Sequence, residues 1–148
     1  MTPVVAVAAI VFDPEGRVLL VERAQPPGVG QWTVPGGKLE GSETLAQAVA
    51  REVREETGLV VEVGPLSCVV ERMGDDFHYV ILDYLARVIG SITTSGTTSA
   101  KLVPVPGTDA SAARWVPPDE LLALPLTEGL LVVLERARPQ HATWLKRS

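Results

Sequence analysis

Three glutamates, Glu52, Glu55 and Glu56, crowd one short stretch, REVREETG, from Arg51 to Gly58. Successive residues of a helix turn by about 100°, so Glu52 and Glu56 are neighbours one turn apart, with Glu55 beside them. All three then share one arc of the helix surface. Ala46, Val49, Ala50 and Val53 fall on the adjoining arc, which can pack on a sheet, while Gln47 and Arg54 point to water. Like charges at this spacing repel by about a few tenths of a kcal/mol per pair. A divalent cation removes that cost. Oxygen-only ligands select hard ions, Mg²⁺ or Mn²⁺, and Mg²⁺ is held by a few carboxylates together with substrate phosphates. The competing reading is a solvated face on which Arg51 pairs with Glu55. The residue types alone leave both open.

The neighbouring segments predict how such a helix is held. Ser42 is placed to cap a helix with Glu43 in its first turn, and Gly58 suits the left-handed position that follows Thr57. Val4 to Phe12 reads as a buried strand, DPEG (Asp13 to Gly16) as a turn, and Val18 to Glu22 as a second strand forming a hairpin with the first. After the Pro/Gly loop Ala24 to Gly30 comes WTV, then the glycine-rich PGGKLEGS. Beyond the acidic helix, Leu59 to Val63, Leu66 to Arg72, Phe77 to Ile89 and Ala112 to Val116 read as strands. PPDELLAL starts a helix with proline at its front, and Thr127 to Arg138 forms a final amphipathic helix. The Ser/Thr/Gly-rich stretch Gly90 to Asp109 is a long loop. There is no internal repeat and no linker, so residues 1–148 are expected to form a single layered α/β domain.

Composition narrows the class. The 148 residues are 46% apolar but only 5% aromatic, so the core is mostly Val, Leu and Ala. A net charge of −5 without a basic stripe argues against nucleic-acid polymers and anionic membranes as partners. The apolar run VVAVAAIVF is too short to span a bilayer and has neither basic leader nor cleavage site. The lone Cys68 forms no intramolecular disulfide and reads as a small hydrophobe rather than a nucleophile. The expectation is a soluble, cytoplasmic protein.

The residues around the glutamates add a pattern: Gly37, five residues, Glu43, seven residues, then Arg51-Glu52-Val53-Arg54-Glu55-Glu56-Thr57-Gly58-Leu59. This resembles the Nudix box of the Nudix hydrolase family and matches it at every specified position. The resemblance implies an α/β/α sandwich with a mixed β-sheet and a loop–helix–loop. It implies Mg²⁺- or Mn²⁺-dependent hydrolysis of a nucleoside diphosphate linked to another group. By the same resemblance Glu52 and Glu56 are the main metal ligands, and Glu55 is a third ligand or water-bridged group. Arg51 orients the glutamates, Glu43 braces Arg51, and the Gly36 carbonyl completes the metal site. The chemistry is consistent, since clustered divalent ions neutralise phosphate oxygens and lower the pKa of a water. Glycines at 36 and 37 let backbone approach closely.

Outside the box the resemblance points to Asp109 as a downstream acid, with Asp75, Asp76 and Glu120 as competitors. Asp83 alternates with Tyr79 and Ile81 along a strand, so it faces the site or binds a backbone amide. Arg23 and Lys38 are candidates for substrate phosphate. Trp32 is a candidate to stack on a base or to pack beneath the loop, and His78 reads as structural. Subgroups of the family carry a proline or a tyrosine downstream of the box. Here those positions are Asp75, Asp76 and Phe77, so neither marker is present. The expected substrate is a nucleoside diphosphate derivative such as ADP-ribose or a nucleotide sugar. The alternatives are a MutT-like (d)NTP or 8-oxo-dGTP, or a regulator that binds nucleotide without cleaving it. Homodimers are common in the family, and the apolar strands permit one here.

Overall fold

The computed structural model describes residues 1–91, 103–107 and 110–148. In chain order these hold β1 (Val4–Val11), β2 (Val18–Arg23), β3 (Trp32–Thr33), β4 (Gly36–Lys38), α1 (Leu45–Thr57), β5 (Leu59–Met73), β6 (His78–Ser91), β7 (Ala110–Val116) and α2 (Leu130–Arg147). The strands form a four-stranded sheet of order β4-β1-β6-β5 and a three-stranded sheet of order β3-β2-β7. β1 pairs parallel with β6 and antiparallel with β4, so the larger sheet is mixed.

Alternate residues of the strands face two helices. Val7, Ala9, Val11 and Leu19 pack with Ala48, Val49 and Val53 of α1. Ala8, Ile10, Val18 and Leu20 pack with Leu130, Leu134 and Ala137 of α2. The sheets thus form the middle layer of an α/β/α sandwich, as the sequence implies. Burying Val49 and Val53 completely contributes about 2 kcal/mol each. Ala46, expected on the packing face, is exposed; the buried residues of α1 are Ala48, Val49, Val53 and Thr57.

Several local expectations change for physical reasons. β1 and β2 do not form a hairpin. The turn after Asp13 is present, with Gly16 N–H donating to the Asp13 carbonyl, but only the Phe12–Val18 bridge joins the two strands before they enter different sheets. The cap of α1 is Thr44, not Ser42. Its hydroxyl accepts from Gln47 N–H, and the Gln47 side chain accepts from Thr44 N–H. Glu43 therefore precedes the helix. Gly58 closes it at φ 73°, as expected.

Leu59–Met73 is one strand with irregular register near Val63 and Leu66 rather than two segments. Pro118–Ala123 is a 3₁₀ turn. The final helix starts later than expected and runs past Pro139, because Leu130, Leu134, Ala137 and His141 keep one buried stripe through it. His141 Nε2 donates to the Ala86 carbonyl at 2.8 Å, and burial lowers the pKa of the ring.

Candidate functional site

A cleft of about 530 Å³ is lined by residues of both sheets. Its walls come from β1, β2, β4, β5, β6, the end of α1 and the start of α2. At one end Glu52 and Glu56 of α1 meet the β4 backbone. Gly36 N–H donates to Glu56 Oε2 at 3.2 Å. A Cβ on Gly37 would lie 2.6 Å from Glu52 Oε1, so a side chain there would push this carboxylate out of its place.

Arg51 organises the acids around it. Its guanidinium donates to both Glu43 oxygens, Nε to Oε2 at 2.9 Å and Nη2 to Oε1 at 2.6 Å. Nη1 donates to Glu52 Oε1 at 2.8 Å and to Glu55 Oε2 at 3.2 Å, and Nη2 reaches the Lys38 carbonyl at 3.1 Å. A rigid fork suits such a set, where a lysine would serve one partner at a time. The Arg51 hydrogen bonds hold the Glu43 carboxyl at about 2. Burial raises the pKa of Glu52, and Arg51 only partly opposes it.

The structure brings Glu52 and Glu56 together at the cleft and leaves Glu55 outside, about half exposed and turned to Arg51. Among the described residues, no three acidic, histidine or cysteine side chains converge on one point. Two carboxylates and the adjoining backbone remain, an all-oxygen donor set. That set fits a magnesium ion, which keeps several waters and shares its remaining positions with phosphate. A carboxylate made uneasy by burial, as Glu52 is, is one a cation would stabilise.

Arg23, Lys38 and Arg72 line the cleft. Arg23 Nε donates to the Pro27 carbonyl at 2.6 Å. Its pKa is lowered by burial and then by the nearby Arg72 charge, while Glu56 pulls it back. Two guanidiniums facing one space beside Glu56 suit an anion. Arg72 was not singled out from the sequence; it and Val70, two residues apart on β5, both line the cleft, a strand-period signal that the sequence does contain.

Other candidates are sorted by position. Trp32 does not line the cleft. It is 7% exposed in the core, with the Arg114 guanidinium 5.8 Å from its ring centre, so it packs and does not stack on a ligand. Glu120 pairs with Arg114 at 3.0 Å outside the cleft, and exposed Asp75 and Asp76 sit in the turn between β5 and β6. His78 contacts Glu71 at 2.6 Å. Asp109 lies outside the described residues. Just before it, Val105 and Gly107 N–H donate to the Thr57 and Glu56 carbonyls, satisfying the C-terminal end of α1. Asp83, with Tyr79 and Ile81, lines the cleft.

The model of the NUDIX domain family matches residues 2–137. A MutT-like protein of Streptomyces ambofaciens is 35% identical over 117 residues, 79% of this chain and 66% of that protein. An ADP-ribose pyrophosphatase of Methanocaldococcus jannaschii is 35% identical over 96 residues, 64% of this chain and 56% of that protein. The chain thus spans somewhat under two thirds of the length of either relative. The crystal structure of a MutT NUDIX hydrolase from Burkholderia pseudomallei superposes with a TM-score of 0.75 at 30% identity, covering 92% of this chain and 98% of that one. No helix among the described residues is long and apolar enough to cross a membrane.

Proposed function

The chain belongs to the NUDIX domain family, and from that premise we propose that it is a divalent-metal-dependent pyrophosphohydrolase acting on a nucleoside diphosphate linked to another group. ADP-ribose or a nucleotide sugar is the favoured substrate class. The observation that carries the reading is the pairing of Glu52 and Glu56 at one end of a cleft whose flank presents Arg23 and Arg72.

Glu52, Glu56 and the Gly36 carbonyl are the groups that would hold Mg²⁺ or Mn²⁺, with Glu55 joining through water. When bound, the metal would neutralise phosphate oxygens and lower the pKa of the attacking water. The chain's own residues do the rest. Arg51 keeps Glu52 aimed and cancels part of the repulsion among the acids. Arg23, Arg72 and Lys38 draw the diphosphate into the cleft and spread its charge. In the reaction a water oxygen bonds to one phosphorus, the bridging P–O bond breaks, and the water's proton passes to a carboxylate or to solvent. A second reading, cleavage of a (d)NTP between its α and β phosphates, is favoured by the MutT-like relative. The same residues would serve it.

The test is product release from ADP-ribose, nucleotide sugars, NADH, diadenosine polyphosphates and ordinary and oxidised (d)NTPs, each with Mg²⁺, Mn²⁺ or chelator. Metal-dependent cleavage of one class names the substrate. Folded protein that cleaves none of them would overturn the reading and leave a nucleotide-binding regulator.

A further inference from the structure

The larger sheet carries one transverse row across its strands. Gly36 pairs with Ala8, Ala8 with Asp83, and Asp83 with Cys68. Paired positions of neighbouring strands face the same side, so the row runs from the metal end of the cleft straight to Asp83. Two strand spacings separate Gly36 from Asp83, roughly 10 Å. That is the reach of a ribose and a phosphate.

Asp83 is an unusual residue to find there. It is 4% exposed, and its one hydrogen bond among the described residues comes from the Cys68 thiol at 3.6 Å, a weak donor. Among the described residues no arginine or lysine pairs with it. Burial pushes its carboxyl up to about 6. Apolar Ala8, Val34, Ile81, Leu130 and Val133 line the same cleft, and the polar Thr33, Thr127 and Glu128 line it with them. A mostly apolar cleft with a few convergent polar groups is the usual form of a small-ligand site. The cationic side chains gather further along β6, where Arg72 pairs with Tyr79, four residues from Asp83, and Lys38 Nζ lies 6.0 Å from the Tyr79 ring; with the phosphates held there, the part of a nucleotide left to meet Asp83 is the base.

We propose that Asp83 is the residue that selects the nucleobase, accepting an N–H from the exocyclic amino group of adenine, cytosine or guanine and disfavouring uracil, thymine and hypoxanthine. A carboxyl oxygen accepts such a bond whether or not the group carries its proton. A keto oxygen in the same place meets a lone pair, and the buried carboxyl goes without a partner. The inference rests on the nucleotide reading above, and its test separates the two.

Matched pairs differing only at the amino group are compared: ADP-ribose with its hypoxanthine analogue, CTP with UTP, dGTP with dITP. Wild type, Asp83→Asn and Asp83→Ala are assayed for kcat/KM on whichever pair is cleaved. Binding of AMP, CMP and GMP against IMP and UMP is measured calorimetrically on the same proteins. Wild type is expected to favour the amino partner by about 10-fold or more. Asp83→Ala should bring the ratio toward unity. Asp83→Asn, which keeps the shape and adds an N–H donor, should improve the keto partner in the ADP-ribose and CTP/UTP pairs, and should only narrow the ratio for dGTP and dITP, which share their keto group and differ in the 2-amino group alone. Ratios unchanged within about twofold in both variants overturn the inference. If nothing is cleaved but the binding preference exists and is lost in the variants, the inference stands and the hydrolase reading falls. If no nucleotide is bound or cleaved, both fall.

Discussion

The two ends of the cleft handle negative charge in opposite ways. At the α1 end Glu43, Glu52 and Glu55 are gathered around one guanidinium, which donates to all three. At the far end Asp83 sits buried, and among the described residues only the Cys68 thiol bonds to it. The first arrangement is stable without a ligand, because Arg51 supplies in advance much of the compensation that a cation later completes. The second leaves a carboxyl in the cleft wall that no cation answers among the described residues. Matched charge positions chemistry; unmatched charge, held in place by a sheet, is available to recognise something.

The largest effect that would break the contrast is expected at the matched end. Glu56→Gln should lower kcat by roughly 100-fold or more with little change in melting temperature, since in the proposed function the residue would serve the cation rather than the core. Unchanged turnover in Mg²⁺ would remove Glu56 from the metal site. Arg51→Lys should act less severely and on a different quantity. One ammonium cannot serve Glu43, Glu52, Glu55 and the Lys38 carbonyl together, so the half-saturating Mg²⁺ concentration should rise by about 10-fold. A magnesium titration of activity checks this; an unshifted midpoint would mean that the fork does not set the acids.

The smallest effect sharpens the unmatched end. Asp83 holds its proton up to about 6 in the folded protein, against 3.8 for an unperturbed aspartate. Its contribution favours folding below about pH 4 and is lost as pH rises through about 6. Asp83→Asn, which cannot ionise, should therefore gain on wild type across that window, by up to about 3 kcal/mol at pH 8. Urea unfolding of both proteins at pH 4, 5, 6 and 8 measures the difference. A gap that stays constant with pH would place a compensating partner beside Asp83.

The same contrast explains what could be read from the sequence. The matched end is nearly one continuous segment, Gly36 to Gly58, so its residues, their spacing and the closing glycine are all local signals. Even the misplaced cap was local: Thr44 and Gln47 stand at capping-box spacing, a stronger signal than Ser42 alone. The other end draws on β1, β5, β6 and the start of α2, and its geometry depends on strand pairing between distant segments. The alternation of Tyr79, Ile81 and Asp83 foretold one shared face, but nothing local said whether the cleft or the core lay on that side. The failed hairpin has the same origin. The turn at Asp13 to Gly16 forms as its residues dictate, yet long-range pairing with β4, β6, β3 and β7 takes the two strands apart. Trp32 sits in a motif beside the glycines, but its large apolar ring is worth more in the core than at the cleft.

The row from Gly36 through Ala8 to Asp83 works as a ruler. Strands in a hydrogen-bonded sheet cannot be drawn apart, so the distance between the metal end and the acid comes in whole strand steps and does not adapt to the guest. A molecule whose phosphate and base are spaced differently can engage one mark or the other, never both. Ala8 is the mark between them, and its single methyl leaves the scale uninterrupted. A larger side chain at that position would cut the cleft into two short compartments, each chemically intact and neither able to hold a whole nucleotide.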